Sequence, residues 1–131
     1  MKKLILSLLV LLLAGTASAQ NSGMGACGYP ASALKSAYKE MLTVSNTATI
    51  LTAATYKPTN GDPAAVCAVI VVNTNSISWW SNGAVPTSSD GIITTSGNSI
   101  SIGALDLTRF KLIRAGASDS AVAVLYFVPV Q

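Results

Sequence analysis

The 131-residue sequence has no histidine, few charges and little aromatic content, with only five acidic residues. Without histidine there is no His-based catalytic triad, no HExxH zinc site and no imidazole general base. A glycosidase needs two carboxylates held roughly 5–10 Å apart, but the acids here are scattered and three fall in turn segments, where Asp commonly caps the backbone. The acidic residues are Glu40, Asp62, Asp90, Asp106 and Asp119. We therefore predict no catalytic residue, no metal-binding residue and no cofactor.

Long apolar runs are absent except near the N-terminus. Residues 1–19 have the three parts of a secretory signal peptide: two lysines, an apolar run over 4–13 and an Ala-Ser-Ala site ending at Ala19. The run is about half the ~20 residues needed to span a bilayer. We expect cleavage before Gln20 and export to the periplasm or the extracellular space, with no membrane association afterwards. An uncleaved N-terminal anchor is the alternative.

Positive charge is also scarce once the signal peptide is removed. The remaining 112 residues carry six basic and five acidic side chains, too few for the basic patch of a nucleic-acid-binding domain. Arg109, Lys111 and Arg114 form a small basic group in the sequence. We interpret it as the solvated surface of an edge strand, where charge discourages edge-to-edge pairing.

Two cysteines, Cys27 and Cys67, follow the signal peptide. In an oxidising compartment we expect them to form one disulfide, which would contribute about 3–4 kcal/mol by restricting the unfolded chain. The alternative is a buried free thiol at Cys67 and a loose thiol near the N-terminus. Neither cysteine lies in a CxxC motif or has a histidine to activate it, which argues against a thiol enzyme.

The pattern of apolar residues and turn signals predicts a mainly β fold. Residues 20–30 are expected to be a flexible lead-in, and 31–42 a short amphipathic helix that opens after Pro30. Seven or eight short strands follow, giving one β-sandwich or jelly-roll-like domain over 31–131. The clearest strands are 64–72, 76–80, 91–95, 98–105, 109–114 and 121–128, after a Thr/Ala-rich β stretch over 47–56. The continuous apolar run in 64–72 indicates a strand buried on both faces.

Two adjacent tryptophans, Trp79 and Trp80, are the most distinctive feature of the sequence. Neighbouring residues of a strand point to opposite faces, so we expect one indole in the core and the other directed outward. An outward indole can stack on a sugar ring or bind another subunit. The alternative is that both are buried structural residues without a partner.

A loop rich in turn residues follows the tryptophans. Asn82-Gly83 allows positive φ at the tip of a turn, Pro86-Thr87 stiffens the loop, and Gly91 lets the chain re-enter a strand.

The order and spacing over residues 77–92, with Leu-Asp-Leu-Thr-Arg-Phe-Lys-Leu-Ile over 105–113 and a terminal Val-x-Val-x-Tyr-Phe strand, resemble a class of small β-sandwich proteins of tailed bacteriophages. Those proteins are usually encoded among virion structural genes. The resemblance covers roughly 48–127 and implies a structural role without catalysis. A signal peptide departs from this class, whose members assemble in the cytoplasm.

The leading hypothesis is thus a non-enzymatic virion-associated or surface-assembly subunit that acts by self-association. Its expected partners are copies of itself, with a trimer by analogy, and phage capsid or tail proteins. The alternative is an exported glycan- or protein-binding module that uses Trp79 or Trp80 on a surface glycan. A small secreted enzyme is the weakest hypothesis, because no nucleophile with a matching base is present.

Overall fold

The structure is a computed structural model that describes residues 26–30 and 32–131. Its strands are β1 (Leu34–Val44), β2 (Thr49–Ile50), β3 (Cys67–Val72), β4 (Ile77–Trp80), β5 (Ile92–Thr94), β6 (Ser99–Gly103), β7 (Lys111–Arg114) and β8 (Ser120–Pro129). Two single-turn helices, α1 (Ala53–Tyr56) and α2 (Ala104–Leu107), and a 3-10 turn at Ala26–Gly28 complete the described elements. The predicted signal peptide over 1–19 and most of the predicted lead-in lie outside the described residues.

The eight described strands form two four-stranded antiparallel sheets that pack as a β-sandwich. Sheet I has the order β1-β8-β3-β6, and sheet II has the order β2-β7-β4-β5. The prediction of a mainly β sandwich with seven or eight strands is confirmed. Neither described helix is long and apolar enough to cross a membrane.

The helix predicted over 31–42 is wrong, because most of this segment belongs to β1. A bulge between Ser36 and Tyr38 shifts the register of β1 against β8, which breaks the period-two pattern that marks a strand. A charged residue, Glu40, also occupies a position opposite the core residue Val124. Pairing with β8 along the whole strand therefore overrides the local helix propensity of the segment.

The later strand predictions agree with the structure to within a few residues, with three differences. Only Thr49–Ile50 of the predicted 47–56 β stretch is a strand, and α1 follows it. The strand predicted over 98–105 ends at Gly103, where α2 begins. The strand predicted over 109–114 starts at Lys111 and lies between β2 and β4, so its interpretation as an edge strand is wrong.

The core lies between the two sheets and takes one face from each. In β8 the burial alternates strictly, as expected for a strand with one face in the core. The largest completely buried side chains come from both sheets and from the turn before β7; they are Tyr126, Phe110, Ile70, Ile77 and Leu112. The sandwich thereby leaves the opposite face of each sheet directed outward.

Candidate interaction surfaces

The outward face of sheet I is apolar over its two central strands, β3 and β8. Ala68, Ile70 and Val72 of β3 point into the core, so Val69 and Val71 point outward, where both are partly buried. A strand buried on both faces was predicted here, but the second face is only partly covered.

The same face continues across β8 and β1. On β8 the core positions alternate with outward, partly buried residues: Ala121, Ala123, Leu125 and Phe127. On β1 the outward residue opposite Ala123 is Met41, with 66% of its surface exposed. We call this set, Met41, Val69, Val71, Ala121, Ala123, Leu125 and Phe127, the sheet I outer face.

The strand register makes these residues contiguous. One row across the sheet runs Lys39, Leu125, Val69 and Ser101, and the next runs Met41, Ala123, Val71 and Ser99. Lys39 is the charged side chain in these two rows, and it lies at the rim, on edge strand β1. The sheet I outer face is therefore a contiguous apolar surface, and the two rows carry one charge, at the border.

The disulfide lies at one end of this face. Cys27 and Cys67 are bonded, with their Cα atoms 6.3 Å apart, and neither is a free thiol. Cys67 opens β3 and pairs with Phe127 on one side and Gly103 on the other. The predicted bridge is confirmed, and it fastens the N-terminal turn to the end of sheet I.

The two tryptophans lie on opposite faces of sheet II. Trp79 packs against the core, with its ring centroid 5.4 Å from that of Phe110. Its indole Nε1–H donates a hydrogen bond of 2.9 Å to Thr94 Oγ1. Trp80 has the opposite orientation and is partly buried on the outward face, in register with Lys111. Trp80 is therefore the indole on the outward face, and Trp79 is the one that packs against the core.

The outward face of sheet II carries further apolar side chains. Lys111, beside Trp80, pairs on its other side with Ile50, which is 60% exposed. Ile93 of edge strand β5 is 49% exposed. A loop over 81–91 covers the middle of this face, at Ser78.

The first half of that loop is held by Asn82 and Arg109. Asn82 Oδ1 accepts a hydrogen bond of 2.9 Å from the Ala84 amide, and Gly83 adopts φ +90°, as the Asn-Gly sequence requires. The Arg109 guanidinium donates to the Asn82 carbonyl at 2.8 Å. Arg109 therefore fixes the loop to the turn before β7.

The second half of the loop packs onto β4. Thr87 Oγ1 accepts a hydrogen bond from the Asp90 amide, and the Thr87 amide donates to the Asp90 carbonyl, both at 2.9 Å. Pro86 is fully buried. The backbone of Gly91 lies against Ser78, whose hydroxyl is buried without a hydrogen-bond partner among the described residues. The residues of this loop over 81–91, the motif loop, thus form a compact cover over Ser78.

A shallow groove of about 450 Å³ lies beside this cover. Its lining comes from the turns before β4 and after β7, from Ser88, and from Ile93. The other lining residues are small or polar: Asn75, Ser76, Ala115, Gly116, Ala117 and Ser118. None of the described residues that line the groove carries a charged side chain.

Three of the five carboxylates take part in local structure. Glu40 accepts hydrogen bonds from the Tyr126 hydroxyl and from the Thr52 amide, the latter at 3.1 Å. Asp119 forms a 2.8 Å salt bridge with Arg114, and Asp62 accepts a 2.8 Å hydrogen bond from the side-chain amide of Asn60. At Asp106 it is the backbone carbonyl, not the carboxylate, that accepts hydrogen bonds from the amides of the turn before β7. No cluster of three potential metal ligands occurs among the described residues.

The Glu40–Tyr126 pair was not predicted from the sequence. Burial, and then the hydrogen bond to Glu40, raise the pKa of Tyr126 well above its ordinary value. The two residues are far apart in sequence but adjacent in sheet I, so only the strand order brings them together. Their contact ties β1, β8 and the segment entering α1 into one unit.

The predicted basic group is dispersed in the structure. Arg109 contacts the motif loop, Arg114 pairs with Asp119, and Lys111 lies on the outward face of sheet II. No family model, curated protein or solved structure matches the chain.

Proposed function

We propose that this protein is a non-enzymatic structural subunit that acts by self-association and by attachment to a larger assembly. The observation that carries the proposal is the sheet I outer face, a contiguous apolar surface built mainly on β8 and β3, with Met41 on β1. Such a surface gains free energy when it is removed from water, at about 25 cal/mol per Å².

The surface has the low charge content of an interface core. Interface cores are depleted in charged residues, and the two adjoining rows of this face carry only Lys39, at the border. The hydrogen-bonded ladder beneath it and the Cys27–Cys67 bridge at its end fix the strands that carry these side chains before binding. A preorganised surface loses less conformational entropy when it associates.

The larger assembly that we propose is a virion or a cell-surface lattice. The motif order over 77–92 resembles phage virion proteins, and in this structure it forms a compact cover rather than a reaction site. The signal peptide proposed over 1–19 would make the subunit an exported one, and the disulfide is compatible with that compartment.

Mass spectrometry of gradient-purified particles and of cleared supernatant from the source culture tests this proposal. Enrichment of peptides from residues 32–131 in particles would support the virion role. A peptide that begins at Gln20 in the same particles would show passage through export. Confinement of the protein to the particle-free fraction, as a monomer, would contradict the structural role.

A second candidate function is an exported glycan- or protein-binding module, favoured by the position of Trp80. Its indole lies on the outward face of sheet II, with Lys111 and the exposed Ile50 in the same row. Titration with surface polysaccharide, followed by indole fluorescence, tests this function. Binding that is lost in Trp80→Ala and kept in Ile50→Ala would support it, and a signal indifferent to polysaccharide would contradict it.

A further inference from the structure

We infer that two copies of the chain bind each other through the sheet I outer face, related by a two-fold axis. The axis lies in the plane midway between the two faces. It runs parallel to the sheets and perpendicular to the strands, and it crosses β8 between Ala123 and Leu125. This inference rests on the proposed function and names its first partner and its contact surface.

The size of the face fits such a dimer. The strands of sheet I contain 11, 10, 6 and 5 residues. At a rise of ~3.4 Å per residue and a strand spacing of ~4.8 Å, the whole outward side of sheet I, which is the sheet I outer face together with the polar residues around it, covers roughly 500 Å². Two such sides together reach about 1,000 Å², the size at which specific interfaces begin.

Symmetry favours a two-fold contact for this surface. A two-fold contact uses the same patch on both subunits, whereas a ring of three needs two different patches on each. The sheet I outer face is one continuous apolar patch, and flat sheet faces stack about 10 Å apart with their strands nearly aligned. A second copy can therefore cover it with the identical surface.

The order of side-chain sizes along β8 identifies the direction of the axis. The outward residues run Ala121, Ala123, Leu125 and Phe127 along the strand, two small followed by two large. A two-fold axis perpendicular to the strands reverses this order in the second copy. Leu125 then lies over the partner's Ala123, and Phe127 over the partner's Ala121, so that large side chains meet small ones as in a well-packed core.

The neighbouring strands accept the same arrangement. On β3 the reversal places Val69 over the partner's Val71, since these residues share rows with Leu125 and Ala123. On β1 it places Lys39 over the partner's Met41. The apolar stem of Lys39 can cover the Met side chain while its ammonium group stays in water. No charge has to be buried.

Exchange of two residues tests this geometry. Leu125→Ala should leave a gap opposite the partner's Ala123, and Ala123→Leu should bring two leucines into collision. Each change occurs twice in the dimer, so each single variant should raise the dimer dissociation constant by at least about tenfold. The double variant Leu125→Ala/Ala123→Leu restores a large residue opposite a small one. Its dissociation constant should return to within about threefold of the unchanged protein.

Sedimentation equilibrium measures these constants, with near-ultraviolet circular dichroism to show that every variant is folded. Weakening in both single variants and recovery in the double variant would support the inference. A double variant at least as weak as the weaker single variant would overturn this axis, as would a trimer. If both single variants still dimerise but Ile93→Lys abolishes the dimer, the contact lies on sheet II. This result would overturn the inference, while the proposed function would stand. A protein that is monomeric at every concentration would contradict both.

Discussion

Gly91 lies so close to Ser78 that a Cβ atom at position 91 would be 2.1 Å from the Ser78 hydroxyl oxygen. The same Cβ would be 3.3 Å from the Trp79 backbone nitrogen, which cannot move without disturbing β4. The loop that begins after Trp80 therefore returns to the sheet at a position where no other residue fits. This contact explains why a glycine precedes β5.

We expect Gly91→Ala to lower the free energy of unfolding by about 1–3 kcal/mol, because the added methyl group overpacks the contact with β4. Urea denaturation measures the loss. Gly103→Ala is the matched control, since a Cβ there meets no atom within 4 Å and its φ of −85° suits any residue. Combination with Ser78→Ala should recover part of the loss, and no recovery would show that Ser78 is not the obstacle.

Because the pKa of Tyr126 is raised, we expect the stability of the folded protein to depend on pH in the alkaline range. Burial and the hydrogen bond to Glu40 raise the pKa of Tyr126 above the ordinary value of 10.0. Above that pH the unfolded chain releases the phenolic proton while the folded chain keeps it, so stability falls as pH rises. The contribution of this group should approach about 1.4 kcal/mol per pH unit.

Replacement of Tyr126 by Phe separates the ionisation of Tyr126 from other causes of a loss of stability at alkaline pH. The variant should lose about 1–2 kcal/mol at neutral pH, because Glu40 loses a hydrogen-bond donor. Between about pH 10 and pH 11 its stability should decline less steeply than that of the unchanged protein. Equal slopes in urea denaturation over this range would contradict the assignment of the shift to Tyr126.

The Cys27–Cys67 bridge should stabilise the fold substantially. It joins residues 40 apart in sequence, and restriction of an unfolded loop of that length contributes about 3–4 kcal/mol. We expect the double variant Cys27→Ala/Cys67→Ala to lose about this amount in urea denaturation. A reductant should have the same effect on the unchanged protein and none on the variant; a loss below about 1 kcal/mol would contradict a structural role for the bridge.

The two tryptophans should respond differently to truncation. Trp79→Ala should cost about 3–5 kcal/mol, because it leaves a cavity beside Phe110 and removes the hydrogen bond to Thr94. Trp80→Ala should cost much less and should act mainly on binding at the outward face of sheet II. Thermal melting of the two variants measures the difference. Equal large losses would show that both indoles are structural.

Much of the fold could be predicted from local patterns. The alternation of Val122, Val124, Tyr126 and Val128 identifies β8, and the Asn82-Gly83 turn ends the strand that contains both tryptophans. Strand β1 could not be predicted in this way, because the bulge after Ser36 and the inward position of Glu40 conceal its alternation. Its conformation depends on β8, which follows almost 80 residues later in the sequence.

The candidate site was harder to predict than the fold. Met41, Ala123 and Val71 become neighbours only through the strand order β1-β8-β3, which no local pattern specifies. One signal was present: the apolar runs of β3 and β8 also place apolar residues at outward positions. That signal indicates either a strand covered on both faces or a face that awaits a partner, and only the packing of the sandwich distinguishes the two.

Sedimentation equilibrium of the chain that begins at Gln20 tests whether the sheet I outer face mediates self-association, with Leu125→Lys compared to Leu105→Lys. Leu125 lies in the middle of the sheet I outer face, whereas Leu105 lies on α2 and is 86% exposed. We expect the unchanged protein and Leu105→Lys to associate equally, and Leu125→Lys to sediment as a folded monomer. Equal association of all three, or a monomer in every case, would contradict self-association through this face.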